Sequence, residues 1–326
     1  MLSAQALIEQ AAILKKKRAL LVEKIKQLAL DEVKIAAGGQ KFQIQQELAD
    51  ANQELGKLDQ QLTDIDANRM YHALLEMDYF DQSISFDAYF AAQRIAAFLI
   101  HGPKDYGQDW LLRRLIALMP RDHEWEKIEI DLGSAVIAKE VSALWDDLAS
   151  RVYSTPPFPT PAPAQIAQEA AKWLETKTVL LILRQIDAWE PTEAQALVTN
   201  FWQALAKAAQ DTLKPGNTRL VMFLVDYRDL AQTWGLPLVD APAPQVEPGI
   251  PIRLQEIKPF TPDVVKPWIH NHFVTYSDLL KPLLVNMEQT VQAIVDASQG
   301  GAPDQVAKAI CFHCKHFYKK ERWLTL

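Results

Sequence analysis

Two glycines, Gly102 and Gly107, bound a short loop of the kind that can hold a phosphate group. The loop follows the apolar run Ala96–Ile100 and precedes a segment with apolar residues at three- and four-residue intervals from Leu111 to Met119. A strand, a glycine-bounded loop and a helix in this order point backbone N–H groups at an anion near the helix N-terminus. The spacing Gly102-x-x-x-x-Gly107 fits a P-loop.

The two positions after the second glycine lack the side chains that phosphate chemistry requires. In P-loop enzymes, a lysine there neutralises the β- and γ-phosphates and a serine or threonine holds Mg²⁺. This chain has Gln108 and Asp109 instead, and Asp105 adds another carboxylate within the loop. Two anions 4 Å apart repel each other by about 4 kcal/mol at an effective dielectric constant of about 20. The loop therefore opposes a bound triphosphate.

Asp109 has a structural use that does not involve phosphate. A carboxylate in the first turn of a helix satisfies unpaired N–H groups and the helix macrodipole, so we expect Asp109 to cap this helix. Lys104 is the only cation within the loop and is not at the position where the catalytic lysine is needed. These residues predict a P-loop fold that does not hydrolyse ATP. The alternative is a chance occurrence of the glycine spacing in another α/β domain.

A second catalytic position is altered at the end of a later strand. Val179–Leu183 is a continuous apolar run, as expected of a buried parallel strand. In P-loop enzymes such a strand ends in a carboxylate that orders Mg²⁺. Here it ends in Arg184, and the next acid is Asp187. Two independent losses favour a degenerate site, and we expect Arg184 to neutralise Asp109 or Asp105.

The remaining elements predict an α/β fold. Strand patterns alternate with helical patterns and occur at 96–100, 127–132, 179–183, 219–225 and 252–254. Such alternation is typical of parallel sheets. In 127–132 the apolar pattern is itself alternating, with Ile128 and Ile130 on one face. The predicted fold is a P-loop NTPase-like parallel sheet flanked by helices, with an N-terminal helical hairpin and a helical C-terminal part. One predicted helix covers Ser134–Tyr153, and the proline-rich segment Ser154–Ala164 is a stiff connector or a docking segment.

The N-terminal region has the periodicity of paired helices. Leucine or isoleucine occurs at seven-residue steps from Leu7 to Ile35, and a second apolar series runs from Leu48 to Ile65. Gly38-Gly39 separates the two series. This pattern predicts an antiparallel helical hairpin, or a longer coiled coil with a break. The predicted domains are residues 1–68 for the coiled-coil hairpin, 69–275 for a degenerate P-loop α/β domain and 276–326 for a helical subdomain.

The overall composition excludes several classes of protein. A net charge of −7 over 326 residues argues against a dedicated nucleic-acid-binding protein. The N-terminus lacks a signal region and no apolar run reaches 18 residues, so we expect a cytoplasmic protein without a membrane segment. Cys311 and Cys314 face a different direction from His313 and His316 on one helix, so no metal site is predicted.

Together these features resemble the STAND class of P-loop NTPases, relatives of the NACHT and AP-ATPase families. They are most similar to the inactive STAND domains of bacterial, especially cyanobacterial, conflict systems. The resemblance covers about residues 70–320 and rests on Phe98–Gln108, Arg184–Asp187, Leu254–Phe260 with Trp268-Ile269, and Gly301-Ala-Pro303. The resemblance implies a degenerate nucleotide pocket at Gly102, Lys104, Gly107, Gln108, Asp109, Arg184, Asp187, Gly301 and Pro303.

The resemblance also implies a function. The leading prediction is a non-catalytic scaffold or adaptor without a cofactor, which acts beside effector proteins or signalling ATPases in bacterial defence. Its hairpin would recruit these protein partners or form a homo-oligomer, and no nucleic-acid or membrane partner is expected. One alternative is a switch that binds ATP or ADP with little or no hydrolysis; another is an ATPase that receives its missing cation from a neighbouring subunit. Asp226 and Arg228 lie where active relatives carry sensor residues, or pair within the chain.

Overall fold

The computed structural model of the protein describes residues 3–35, 38–120, 124–138, 140–155, 157–214, 216–242 and 247–324. The chain forms two compact units. We call them the helical unit (Met1–Met77, Pro262–Ile294 and Ala307–Leu326) and the sheet unit (Asp78–Thr261 and Val295–Val306). These units are defined by contacts and do not show which segments fold independently. The predicted domain boundaries at residues 68/69 and 275/276 therefore stay a prediction.

The elements are numbered in chain order within the described residues. The helices are α1 (Ala4–Lys34), α2 (Gly39–Leu75), α3 (Phe80–Ala92), α4 (Gln108–Leu118), α5 (Ser142–Val152), α6 (Pro163–Ala171), α7 (Pro191–Ala196), α8 (Gln203–Thr212), α9 (Pro262–Leu284), α10 (Met287–Ala297), α11 (Pro303–His313) and α12 (Lys320–Leu324). The strands are β1 (Ile95–Ile100), β2 (Trp125–Asp131), β3 (Thr178–Arg184), β4 (Leu220–Val225), β5 (Val239–Asp240) and β6 (Ile252–Arg253). Across the described ranges, none of the helices combines the length and apolar character needed to cross a membrane.

The sheet unit is built on a six-stranded parallel sheet with the order β2-β3-β4-β1-β6-β5. Every residue of β1 and β4 is buried, as expected for strands covered on both faces. Ile100 and Arg184 are both in register with Val225. The ends of β1, β3 and β4 therefore lie in one row, which brings the loops that follow them to the same edge of the sheet. This is the P-loop NTPase-like α/β fold expected from the sequence.

Helices pack on both faces of this sheet. On one face, alternate residues of β1 to β4 form a core with α5, α6 and α8 and with the π-helical turn Leu197–Trp202 between α7 and α8. On the other face, Phe86 of α3 packs 5.0 Å from Phe98 of β1 and 6.0 Å from Phe223 of β4, measured between ring centroids. Both faces are thus apolar, which fits the continuous apolar runs of the central strands.

One predicted helix is shorter than its sequence pattern. The prediction covered Ser134–Tyr153, whereas residues 134–138 form turns and α5 begins only at Ser142. The first buried apolar side chain of this region is Leu144, and Val136 is 68% exposed. Helices in proteins depend on packing of an apolar face for most of their stability, and within residues 134–138 only Ile137 packs on the core of the sheet.

In the helical unit, α1 and α2 lie antiparallel. Arg18 pairs with Asp59, and farther along α1 Glu32 accepts a hydrogen bond from Gln45, so residue numbers fall on one helix as they rise on the other. Their shared core consists of Leu7, Ala11, Leu14, Leu21, Ala51, Leu58, Leu62 and Ile65. These side chains belong to the two periodic series of the sequence. Coiled-coil packing of the pair stays a prediction.

A charged cluster joins α1, α2 and α9 within the helical unit. Arg69 of α2 is only 3% exposed, and its guanidinium donates to Asp66 at 2.8 Å and to Asp278 at 2.7 and 2.9 Å. Lys15 of α1 also pairs with Asp278. The hydrogen bond from Arg69 lowers the pKa of Asp278 well below its ordinary value, and Lys15 adds to this effect.

Replacing Asp278 with asparagine is expected to lower stability at neutral pH by about 2 kcal/mol, because Arg69 then loses a charged acceptor. The folded-state pKa of Asp278 lies below the unfolded value of about 3.9, so the carboxylate stabilises the fold fully above that value. This contribution begins to fall as the pH drops below about 3.9 and is fully lost only below the much lower folded-state pKa. Urea unfolding followed by circular dichroism between pH 7 and pH 3 measures both effects.

The matched control for this experiment is Asp31→Asn. Asp31 is 40% exposed, as Asp278 is. Its carboxylate lies 3.6 Å from Nζ of Lys34, whose side chain is 70% exposed. Exposed pairs contribute little, so Asp31→Asn should leave the unfolding midpoint nearly unchanged. Equal effects of the two substitutions would show that the cluster around Arg69 does not stabilise the helical unit.

Candidate functional site

The loop between β1 and α4 has the turn that its glycine spacing predicts. Gly107 precedes α4 with φ +79°, a left-handed conformation that favours glycine. A Cβ atom at this position would lie 2.6 Å from the hydroxyl oxygen of Tyr79. Within the loop, the backbone N–H of Tyr106 donates to the carbonyl of Pro103 at 3.2 Å. The loop is thus compact and accepts no side chain at its second glycine.

Gln108 fills the interior of this loop. Its side chain is 2% exposed, and its Nε2 donates to the carbonyl oxygens of Gly102 and Pro103, each at 2.9 Å. The amide group therefore bonds the loop to itself and brings no charge. Lys104 is exposed, so the cation of the loop is not at the buried position of Gln108.

Asp109 and Arg184 form the centre of a charged cluster at the carboxyl edge of the sheet. Arg184 pairs with Asp109, as predicted, and its Nε donates to Glu129 at 2.7 Å. Its Nη1 also donates to the hydroxyl of Tyr227 at 2.8 Å, and that hydroxyl donates to Asp109. We call these four residues the Arg184 cluster. It holds one cation and two anions, so its net charge is −1.

The expectation that Asp109 caps α4 is wrong. The N-cap residue is Gly107, and the helix has no side-chain cap hydrogen bond. Asp109 lies in the first turn, but its carboxylate binds Arg184 and Tyr227 instead. The guanidinium of Arg184 carries a full positive charge, whereas the helix N-terminus offers only about half an elementary charge, so the ion pair is the stronger attraction.

The surroundings of the cluster favour the protonation states that hold it together. Burial raises the pKa of the Tyr227 hydroxyl well above its ordinary value, and the charge of Asp109 raises it further. Burial lowers the pKa of Arg184, but Tyr227, Asp109 and Glu129 outweigh it, and the net shift is upward. At neutral pH Tyr227 is therefore a donor and Arg184 a cation, as the observed hydrogen bonds require.

Asp187 and Asp226, two further acids at this edge, are bound by the chain itself. Asp187 accepts from the backbone N–H of Tyr227 at 3.0 Å and from Nε of Arg228 at 2.6 Å. Asp226 is fully buried and accepts from the backbone N–H groups of Arg228 and Ala231, at 2.9 and 2.6 Å. The predicted pairing of Arg228 within the chain is confirmed, and its side-chain partner is Asp187.

Gly301 and Pro303 lie next to the glycine loop within the sheet unit. A Cβ atom on Gly107 would be 3.3 Å from Cβ of Pro303. Gly301 has φ +98°, and its carbonyl accepts from the backbone N–H of Phe260 at 2.7 Å. The indole Nε1 of Trp110 in α4 donates to Asp304 at 3.3 Å. The structure thus brings these sequence-distant residues to one place.

Sequence reasoning missed Tyr79, Glu129, Tyr227 and Asp304. Glu129 had a signal, since it is a charged residue inside an alternating strand pattern, on the same face as Arg184 in the neighbouring strand. Tyr227 directly follows Asp226, which was considered. Tyr79 and Asp304 contact the loop and α4 from distant parts of the chain, and no sequence pattern around them indicates this contact.

Comparison with known proteins finds a similarity for the middle of the chain. Residues 74–225 match the family model described as iSTAND, inactive STAND. A comparison with curated proteins found no match. The matched segment includes the glycine loop with Gln108 and Asp109 and the strand that ends in Arg184, and it stops before Gly301. Residues 74–225, just under half of the chain, are therefore similar to inactive STAND domains, and they contain most of the P-loop NTPase-like sheet described above.

Proposed function

We propose that this protein is a non-catalytic scaffold or adaptor that acts through protein–protein interactions. The observation that carries the proposal is the Arg184 cluster. Asp109 stands where a P-loop enzyme has its Mg²⁺-binding hydroxyl, and Arg184 stands where it has a metal-ordering carboxylate. In this protein the two side chains pair with each other.

The residues present do not fit a magnesium–triphosphate group. Its phosphates would meet the net negative charge of the Arg184 cluster, and each close pair of anions costs about 4 kcal/mol at 4 Å. The position of the charge-neutralising lysine is held by Gln108, whose amide already bonds Gly102 and Pro103. Binding would have to break these hydrogen bonds without supplying equivalent ones. The family model that matches residues 74–225 is described as inactive STAND, which is consistent with a pocket that does not bind this group.

On this proposal the protein works in the bacterial cytoplasm, within a defence or signalling complex. Its partners are effector proteins or signalling ATPases, recruited by the α1–α2 hairpin, which would pack as a coiled coil. Ile13 and Leu20 support this role because they lie seven residues apart on α1 and stay 57% and 66% exposed. A homo-oligomer formed through the same helices is the alternative arrangement.

A nucleotide-binding switch is the second candidate function. The observation that favours it is the retained loop turn, with Pro303 packed beside Gly107. On this reading the loop N–H groups would hold ATP or ADP with little or no hydrolysis.

Isothermal titration with ATP, ADP and GTP in the presence of Mg²⁺ separates the two candidates. We expect no binding to the natural protein up to about 1 mM nucleotide, which corresponds to a binding free energy weaker than about −4 kcal/mol. The variant Gln108→Lys/Asp109→Ser/Arg184→Asp should bind weakly, because it regains the missing cation and Mg²⁺ ligands.

The outcome that contradicts the scaffold proposal is micromolar binding to the natural protein. It would make the protein a nucleotide-dependent switch. A Lys104→Ala variant serves as control, since it removes the exposed cation of the loop without restoring any catalytic position. Turnover that rises with protein concentration would instead indicate an ATPase completed by a neighbouring subunit.

A further inference from the structure

The turn that ends α11 has a lysine where glycine is the usual residue. The backbone N–H of Lys315 donates to the carbonyl oxygen of Phe312 at 3.0 Å, and that of His316 donates to the carbonyl oxygen of Cys311 at 2.8 Å. These are the paired hydrogen bonds of a Schellman motif, whose left-handed residue is most often glycine. Lys315 has φ +58°. Backbone strain of this kind is concentrated at functional sites.

The turn is anchored by its two cysteines. Cys311 is fully buried and Cys314 is 6% exposed. Burial raises the pKa of Cys314 to about 12 and that of Cys311 higher still, so both thiols are protonated at neutral pH. Within the described residues no three acidic, histidine or cysteine side chains are grouped as metal ligands would be. The cysteines therefore fix the turn and offer no chemistry of their own.

Around the turn lies a cavity of about 520 Å³, within the usual size range of ligand sites. It is lined by Phe312, His313, Lys315, His316 and Phe317. Among the described residues this lining is aromatic, its ammonium group is that of Lys315, and it contains no carboxylate, although the chain as a whole has a net charge of −7. Burial lowers the pKa of His316, so the positive charge of the lining comes chiefly from Lys315. Phe312 and Phe317 are each 79% exposed, so both rings remain available for a ligand.

We propose that this cavity binds an acidic segment of a partner protein in which an aromatic or large aliphatic side chain adjoins a carboxylate. The apolar side chain would cover the rings of Phe312 and Phe317 and remove their surface from water. The carboxylate would pair with the ammonium group of Lys315 in a charge-assisted hydrogen bond. The full charge of Lys315 exceeds the opposing partial charge, about half an elementary charge, at the C-terminus of α11.

The openness of the cavity favours a peptide over a small molecule. Sites for small ligands enclose most of the ligand surface. Here both phenylalanine rings face solvent over most of their area, which suits a side chain that a larger partner presents. The proposal rests on residues 311–317 and does not require the scaffold role, because it would stand even if the glycine loop bound a nucleotide.

Fluorescence polarisation with the full chain and a labelled Asp-Phe-Asp-Phe-Asp peptide tests the proposal. We expect saturable binding below about 1 mM, and binding at least about tenfold weaker for Lys-Phe-Lys-Phe-Lys and for Asp-Ala-Asp-Ala-Asp. Lys315→Gly should weaken binding of the first peptide about tenfold without lowering the melting temperature, since glycine suits the left-handed turn. Lys308→Ala removes an exposed charge from the same helix and should leave binding unchanged.

Three results would overturn the proposal. Equal affinity for the three peptides would indicate unspecific association. Lack of binding below about 1 mM would show that the cavity is not a binding site for such a peptide. Unchanged affinity in the Lys315→Gly variant would show that Lys315 does not pair with the carboxylate of the peptide. Because nucleotide titration tests only the glycine loop, the peptide result and the nucleotide result can fail independently.

Discussion

Replacing Arg184 with alanine is expected to lower the free energy of unfolding of the sheet unit by about 3 kcal/mol. The substitution leaves Asp109 and Glu129 without their shared cation, at positions where their side chains are only 19% and 24% exposed. Tyr227 loses its donor at the same time. Urea unfolding followed by near-ultraviolet circular dichroism at pH 7 measures the change.

The control for this experiment is Arg151→Ala, also in the sheet unit. Arg151 pairs with Asp147 on the surface of α5 at 3.0 Å, and its side chain is 42% exposed. Such a pair contributes less than about 1 kcal/mol. The double variant Arg184→Ala/Asp109→Asn should regain part of the loss, because it removes one of the unpaired anions. Equal losses for Arg184→Ala and Arg151→Ala would contradict a stabilising role of the cluster.

The Arg184 cluster supplies from the chain the charges that a bound nucleotide and its metal would bring. Asp109 sets a negative charge in the first turn of α4, where a phosphate would otherwise interact with the helix dipole. Arg184 sets a positive charge between two carboxylates, as a divalent cation would. The loop can therefore keep its turn without a ligand, which is consistent with the proposed scaffold role.

The pairing of Arg184 with Asp109 could be predicted because both positions are fixed by the fold. The glycine loop and the end of the strand Val179–Leu183 meet at one edge of a parallel sheet, and their side chains carry opposite charges. Glu129 could not be placed in the same way. Its distance to Arg184 depends on the register between β2 and β3, which the sequence alone does not reveal.

Local patterns failed where packing decides the structure. The apolar and helix-forming residues of 134–138 predicted a helix continuous with α5, but they form turns, and among them only Ile137 packs on the core. The short strand β5 has two residues and no periodicity to mark it. By contrast, the strands 179–183 and 219–225 were found within one residue of their observed bounds, because continuous apolar runs of this length are buried on both faces.

Replacing Gly301 with alanine is expected to destabilise the sheet unit by about 3 kcal/mol or more, from backbone strain and overpacking together. The new Cβ would lie 2.3 Å from the carbonyl oxygen of Phe260 and 3.0 Å from its carbonyl carbon. Both are backbone atoms, so no side-chain rotation can relieve the overlap. The chain must move apart there, which breaks the 2.7 Å hydrogen bond between the two residues.

Gly300→Ala separates this overlap from the cost of the left-handed backbone. Gly300 has φ +80°, close to that of Gly301, but a Cβ there meets no atom within 4 Å. Its substitution should cost only about 1 kcal/mol, the usual penalty for a side chain in this conformation. Thermal unfolding of the two variants measures the difference. If they are equally stable, the segment that carries Pro303 is not held against Phe260 by close backbone contact, and its position beside Gly107 needs another cause.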